Sequence, residues 1–348
     1  MDELDTTALS VRDLHVTFNA GTPREVRAVD GVSFDLNRGR VLGVVGESGS
    51  GKSVTGLACL GLLPDSAQVS GQLLVGGQDM VSAPEKVREG VRGQQIAMVF
   101  QDALAALNPY RTVGRQIGDA YRLRHDATRA QAETRAAEVL GEVGIRDPRQ
   151  AARRYPHEFS GGMRQRAMIA MAIVNEPSVL VADEPTTALD VTVQSQVLDL
   201  LVDLVQRLDM AMVLVTHDMG VVAEVADEVA VMYSGRLVET ADVETIFERP
   251  GHPYTVGLLA SMPRLDAVAG RLPTLPGVPA SGVDRPPGCP FHPRCAVADS
   301  VGEACHTIVP ELRERPGGPG HLAACHADAS QVDALRATMT QRQGGQDG

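Results

Sequence analysis

Tryptophan is absent, and aromatic residues make up only 3% of the 348 positions. That scarcity excludes the stacking platforms on which single-stranded nucleic acid is held. Lysine is almost missing as well. Lys52 and Lys86 are the two lysines among 32 basic residues, the rest being arginine. Acidic residues number 44, for a net charge of −12, which argues against a surface built to grip nucleic acid. No apolar run reaches the roughly 18 residues that a bilayer span requires. The acidic start, Met1 to Asp5, lacks the basic residues and apolar core of a secretory signal, so the chain is expected to stay in the cytosol.

What is present reads as globular, with 43% hydrophobic and 22% charged residues. The length suggests two compact units, or one large unit with an appendage. Leu9–Val11, Leu14–Phe18 and Val32–Leu36 alternate as short strands. Val41–Val45, Ile96–Phe100, Ser178–Ala182 and Met212–Val215 are continuous apolar runs, the pattern of strands buried on both faces of a parallel sheet. Helical spacing is predicted for Ser53–Leu63, for about Thr112–Ile145 and for Val193–Leu208. Strand–helix–strand alternation of this kind implies an α/β fold with helices flanking the sheet. Between Pro273 and Pro293 there are seven prolines, a density incompatible with helix or central strand. Residues 250–340 are therefore expected to be an irregular appendage that ends in a short helix and a Gly/Gln tail.

Gly46-Glu47-Ser48-Gly49-Ser50-Gly51-Lys52-Ser53 fits G-x-x-x-x-G-K-[ST] between a buried strand and a helix. Glycines let successive backbone N–H groups converge on phosphate oxygens, and the helix N-terminus adds partial positive charge. Lys52 is expected on the β- and γ-phosphates of a nucleoside triphosphate, with the Ser53 hydroxyl on Mg²⁺. The run ending in Asp183-Glu184 supplies the acidic partner. Asp183 is expected to hold Mg²⁺ through water, and Glu184 to polarise the attacking water.

Phe159-Ser160-Gly161-Gly162-Met163-Arg164-Gln165-Arg166 is a further glycine turn before a helix, where Ser160 alone could be an ordinary N-cap. Together with Gln101, Thr187-Ala188-Leu189-Asp190 and Thr216-His217-Asp218, it resembles the signature of ABC-transporter ATPases over about residues 10–240. The resemblance implies a P-loop NTPase (RecA-like) core with an antiparallel β subdomain and an α-helical subdomain. It implies nucleotide contacts from Phe18, Gly46, Ser48, Gly49, Ser50, Gly51, Lys52, Ser53 and Val54, although Phe18 also suits plain strand packing. Gln101 would sense Mg²⁺ and the γ-phosphate, and His217 would be the switch residue. Ser160, Gly161, Gly162 and Asp190 would meet the nucleotide of a second copy of the fold, so that two chains close over ATP. Phe159 and Met163 depart from the family's usual Leu and Gln but keep the bulk of the turn.

Leu107-Asn108-Pro109, His252-Pro253-Tyr254-Thr255 and Gly288-Cys289-Pro290-Phe291-His292-Pro293-Arg294-Cys295 resemble the dipeptide/oligopeptide importer ATPases, with nickel importers close by. The resemblance implies the boundaries 8–245 for the ATPase domain (helical subdomain about 103–175), 246–335 for a C-terminal extension and 336–348 for a tail. It also implies a second ATPase chain, two transmembrane permease subunits docked near residues 103–125, an extracytoplasmic substrate-binding protein, and a place on the cytoplasmic face of the membrane. A soluble, non-transport ABC ATPase is the alternative class, and it predicts features not seen here, such as a duplicated core or a basic surface.

Cys289, Cys295, Cys305 and Cys325 are spaced by 6, 10 and 20 residues. In a reducing compartment such a cluster reads as metal binding before disulfides. A [4Fe–4S] cluster or a tetrahedral Zn²⁺ would suit four thiolates, and the missing C-x₂-C knuckle favours iron–sulfur, as does the importer resemblance. Such a cluster would staple an extension with too few apolar residues to fold alone. His292, His306, His321 and His326 are expected to be surface residues, and Cys59 a core residue.

Overall fold

The structure, a computed structural model, describes residues 6–262 and 275–344 apart from 188, 317 and 319. Pro273 and Ala188 therefore lie outside the described residues. The strands are β1 (Thr7–Phe18), β2 (Val26–Asn37), β3 (Val41–Val45), β4 (Ala67–Val75), β5 (Gln78–Asp79) and β6 (Ile96–Val99). They continue with β7 (Val179–Asp183), β8 (Ala211–Thr216), β9 (Glu228–Tyr233), β10 (Arg236–Asp242), β11 (Arg313–Glu314) and β12 (Leu322–Ala323).

Two sheets result among the described residues. The smaller has the order β2-β1-β4-β5 and is antiparallel throughout. Its two alternating sequence runs, 9–11 and 14–18, form one strand interrupted at Asp13, where φ is +46° and the register shifts. The larger has the order β11-β12-β10-β9-β3-β8-β7-β6, and its strands from β9 to the edge strand β6 run parallel.

Alternation within β3 explains its unbroken apolar run. Val41 and Val45 pack into one hydrophobic cluster with the helices, while Leu42 and Val44 pack into another shared with the antiparallel sheet. A strand covered on both faces needs no polar side. The helical expectation over 112–145 resolves into two helices, Val113–Arg122 and Arg129–Glu142, which pack on the helix Gly161–Ile173.

The C-terminal region differs from its expectation. It contributes the helix Pro253–Ala260, the strand pair β11–β12 that extends the main sheet through β10, and a helix Ala329–Gly344. That last helix runs through most of the segment expected to be a tail. Tyr254, Cys289 and Phe291 are buried in the same cluster as the ATPase core, so the extension shares that core, and it adds a small cluster of its own around Val256, Ala327 and Val332.

Candidate nucleotide-binding site

Because β3, β6, β7 and β8 are parallel neighbours, the residues that follow them emerge along one edge of the sheet, at the strands' carboxyl ends. Four of the motifs read from the sequence sit there: the glycine loop after β3, Gln101 after β6, Asp183-Glu184 at the end of β7, and His217 after β8.

The loop's glycines are required by space as well as by torsion. Gly46 has φ +152°, and a Cβ there would stand 2.2 Å from the Met232 carbonyl oxygen. At Gly51, with φ +104°, it would stand 2.5 Å from the Ala28 carbonyl oxygen. Lys52, only 6% exposed, donates to the carbonyls of Gly46 (2.7 Å) and Glu47 (3.0 Å) and so spans the loop from inside. Burial lowers its pKa, while the charges of Glu184, Asp183 and Glu47 oppose that shift. The buried Ser50 hydroxyl has no partner within the described residues, a polar atom that suits an oxyanion. Ser48 is exposed, Gly49 has φ +79° with open space beside it, and Val54 packs at the margin of the second cluster.

Ser53 donates to Asp183 at 3.0 Å, which joins the loop to β7. A hydroxyl beside a carboxylate is a fitting donor pair for Mg²⁺, a hard cation that prefers oxygen. Burial raises the Asp183 pKa, only partly offset by the Ser53 hydrogen bond. Glu184 turns elsewhere, because its own φ is +46°. Its carboxylate accepts from Gln101 Nε2 (2.8 Å) and Thr187 Oγ1 (2.9 Å) and contacts His217 Nδ1 (3.0 Å). Burial disfavours the Glu184 charge, but the His217 and Thr187 hydrogen bonds and the nearby cations outweigh it, so its pKa lies below the ordinary range. Glu184 is thus an ionised acceptor at neutral pH, held by Gln101 and His217, for which a role at the γ-phosphate is expected, and by Thr187, for which none is.

Ser160 and Asp190 are exposed and cap their own helices, accepting from the amides of Met163 (3.3 Å) and Val193 (3.0 Å). Gly162 is needed where those helices meet, since a Cβ there would lie 2.7 Å from Val193 Cγ1; Gly161 is freer, 3.7 Å from Leu189. Phe159 is buried and Met163 packs beside it in the same core, so the two departures from the usual signature serve packing. Phe18 closes β1, opposite Val26 and Ala67, and packs against the second cluster.

Several supports of the site had no role assigned from the sequence. Gln116, 8% exposed, accepts from the Asn108 amide and donates to the carbonyls of Asn108 and Arg111, fixing the Leu107-Asn108-Pro109 turn. The side chains of Tyr254 and Arg294 reach Glu47 in the glycine loop from the extension. The only signal for Gln116 is a polar residue at an apolar helical position.

Two of the four C-terminal cysteines meet through the backbone. Cys289 donates its amide to the Cys305 carbonyl at 2.9 Å, helped by Gly288 at φ +71°. Burial pushes the Cys289 thiol up to about 12 and Cys295 to about 11, and it raises Cys305 and Cys325; mutual repulsion among the four contributes at Cys289, Cys295 and Cys325. Among the described residues, however, no group of three or more Cys, His, Asp or Glu side chains is set to hold a metal ion.

The histidines divide. His292, His306 and His326 are partly or fully exposed. His321 corrects its expectation, being 2% exposed and 2.8 Å from the wholly buried Glu239. Cys59 is a core residue as expected, 1% exposed.

Residues 29–187 match the ABC transporter family, and residues 238–301 match the family described as oligopeptide/dipeptide transporter, C-terminal region. The dipeptide transport ATP-binding protein DppD of Bacillus subtilis is 49% identical over 291 residues, covering 82% of this chain and 86% of that protein. The oligopeptide transport ATP-binding protein OppD of Salmonella typhimurium is 44% identical over 324 residues, covering 93% and 95%. Among solved structures, a dimeric ATP-binding cassette in a post-hydrolysis state with ADP and phosphate shares the fold at TM-score 0.60 and 24% identity, covering 68% of this chain and 98% of that one. The cbiO1 protein of Clostridium perfringens, part of an ABC transporter complex, matches at TM-score 0.59 and 27% identity, covering 70% and 92%. With the glycine loop, the acidic pair and the extension in place, the chain belongs to the ABC-transporter ATP-binding proteins of the dipeptide and oligopeptide transport branch.

Proposed function

We propose that this chain hydrolyses ATP as the motor subunit of an importer for dipeptides or oligopeptides, working peripherally on the cytoplasmic face of the membrane. Among the described residues no helix is long and apolar enough to cross a membrane, so passage of cargo falls to other subunits. The reading rests chiefly on one observation, the convergence of Gln101, Thr187 and His217 on the Glu184 carboxylate beside the Ser53–Asp183 pair.

In this reading Lys52 and the loop amides of residues 46–53 bind the phosphates. Mg²⁺, when bound beside Ser53, Asp183 and Gln101, neutralises charge on the β- and γ-phosphates. Glu184 accepts a proton from the attacking water, with Gln101 and His217 orienting it. Ser160, Gly161, Gly162 and Asp190 complete the site of a second ATPase chain, and the exposure of Ser160, Gly161 and Asp190 supports that role. Val191, 82% exposed beside Asp190, adds apolar surface to the same face. The permease subunits dock on the ATPase pair near residues 103–125, where Tyr110, Arg111 and Arg115 line a groove of about 630 Å³, and an extracytoplasmic binding protein delivers the peptide.

The replacement Glu184→Gln tests the core of this reading. Turnover should fall by at least about a hundredfold, ATP binding should persist, and light scattering should find the chain dimeric in ATP and Mg²⁺. Hydrolysis at the native rate would overturn the assignment of the base.

The same proposal keeps a [4Fe–4S] cluster on Cys289, Cys295, Cys305 and Cys325; its support is the cysteine spacing and the importer resemblance, and the geometry of the described residues adds none. The group would cross-link segments far apart in sequence. Anaerobically purified protein should carry iron, sulfide and a broad absorbance near roughly 400 nm. Zinc without iron would substitute the tetrahedral alternative, and neither metal would dismiss the site.

A further inference from the structure

Glu47 is the second residue of the glycine loop, yet the partners of its amide and carboxylate come from the extension roughly two hundred residues downstream. Its amide donates to the Tyr254 hydroxyl at 2.8 Å. Its carboxylate receives a fork from Arg294, Nη1 at 2.5 Å to one oxygen and Nη2 at 2.9 Å to the other. Two parallel charged hydrogen bonds fix orientation as well as distance, which a lysine could not do.

Arg294 is itself held. It is 6% exposed, its Nε donates to the Pro276 carbonyl at 2.7 Å, and its Nη1 lies 3.4 Å from the Tyr233 hydroxyl. Its guanidinium carbon is 5.8 Å from the Tyr233 ring centre and 5.9 Å from that of Phe291. Tyr233, Tyr254 and Phe291 meet edge-on or tilted at 4.8–5.3 Å and are each at most 1% exposed. The grip on Glu47 is therefore anchored in a packed aromatic cluster.

A second hold lies at the other end of the loop. The Gly235 amide donates to the Ser50 carbonyl at 2.9 Å, and the Gly235 carbonyl accepts from Asp30 at 2.8 Å. Arg285, again from the extension, bonds the Ser234 carbonyl at 2.5 Å and pairs with the Asp30 carboxylate. Both ends of the phosphate-binding turn thus lean on the extension.

We propose that Arg294 is a positioning residue for the phosphate loop, so that the C-terminal extension sets the affinity of the nucleotide site. The loop works only when its amides point inward together. Holding Glu47 by side chain and amide keeps that curl ready before phosphate arrives, and preorganisation of this kind is read out as binding strength. The inference rests on the reading of residues 46–53 as the triphosphate loop.

The test uses the purified full chain, with ATP binding and steady-state hydrolysis measured for four replacements. Lys52→Ala checks the underlying reading by itself, and unchanged ATP binding there would sink the loop assignment whatever Arg294 does. With that control abolishing binding, Arg294→Ala should raise the KM for ATP about tenfold or more while kcat at saturating ATP stays within about threefold. Arg294→Lys should recover only part of the loss. Glu47→Gln, nearly isosteric and kind to folding, should reproduce the rise in KM even if Arg294→Ala does not fold, and the double variant should be no worse than the poorer single. ATP affinities within about twofold of the parent in both Glu47→Gln and Arg294→Lys would overturn the proposal.

Discussion

His252 shows how a single side chain can be fixed by its surroundings. It is 1% exposed, and its Nδ1 accepts the Tyr254 amide at 3.0 Å, capping the helix Pro253–Ala260. Burial, with the Arg315 charge adding to it, lowers its pKa from 6.5 to about 3. Above pH 6.5 the ring is neutral in both folded and unfolded chain, and nothing is lost. Below that, the unfolded chain takes up a proton that the folded chain refuses until about pH 3. Stability should therefore fall through that window, by up to about 1.4 kcal/mol per pH unit. Urea midpoints measured from pH 7 to pH 5 should drop less in His252→Asn, whose side chain can still cap. Equal slopes in the two proteins would refute this account. The sequence marked His252 as part of a motif, but its burial beneath Phe291, 5.8 Å between ring centres, needed the fold.

At the scale of elements, the strands with unbroken apolar runs were the most legible. Val41–Val45 became β3 with both boundaries as read, and the runs before Asp183 and Thr216 became β7 and β8 to within a residue or two. Their both-sided burial leaves a plain hydrophobic signature. The long helix expected at Val193–Leu208 begins two residues earlier, at Val191, because Asp190 supplies the cap. The extension was the least legible element. Its proline density correctly excluded regular structure around residues 276–293, where the described residues form turns and a single short turn of helix. It concealed the two-residue strands β11 and β12, which are too short to carry a period and exist only because β10 offers an edge.

For the whole molecule, the consequence is that extension and ATPase core stand or fall together. Tyr254 and Phe291 are almost fully buried in the core cluster, and each such burial contributes about 1.5–3 kcal/mol. Glu239, with no exposure, accepts from the amides of Gly251 and His252 and lies against His321; removing those partners would strand a buried carboxylate. A chain ending after Glu248 should therefore aggregate or melt well below the parent, as followed by light scattering and thermal unfolding. A truncated protein that stays monodisperse with the parent's Tm would show that the extension is an independent appendage after all. The four cysteines are accordingly not needed as the sole staple that the sequence suggested, since apolar packing and ion pairs already hold this region. What the amino-acid order determined by itself was local chemistry: a glycine loop beside its one useful lysine, an acidic pair after a buried strand, a capped signature turn, and the family these belong to. Those signals survive in one dimension because each depends on neighbours a few residues apart. Only the tertiary structure decided that Gln101, Thr187 and His217 share the Glu184 carboxylate, and that Arg294 holds the loop at Glu47. Contacts across tens to hundreds of residues are chosen by how the sheet stacks its strands and where the core closes, and no periodicity in the chain records that choice.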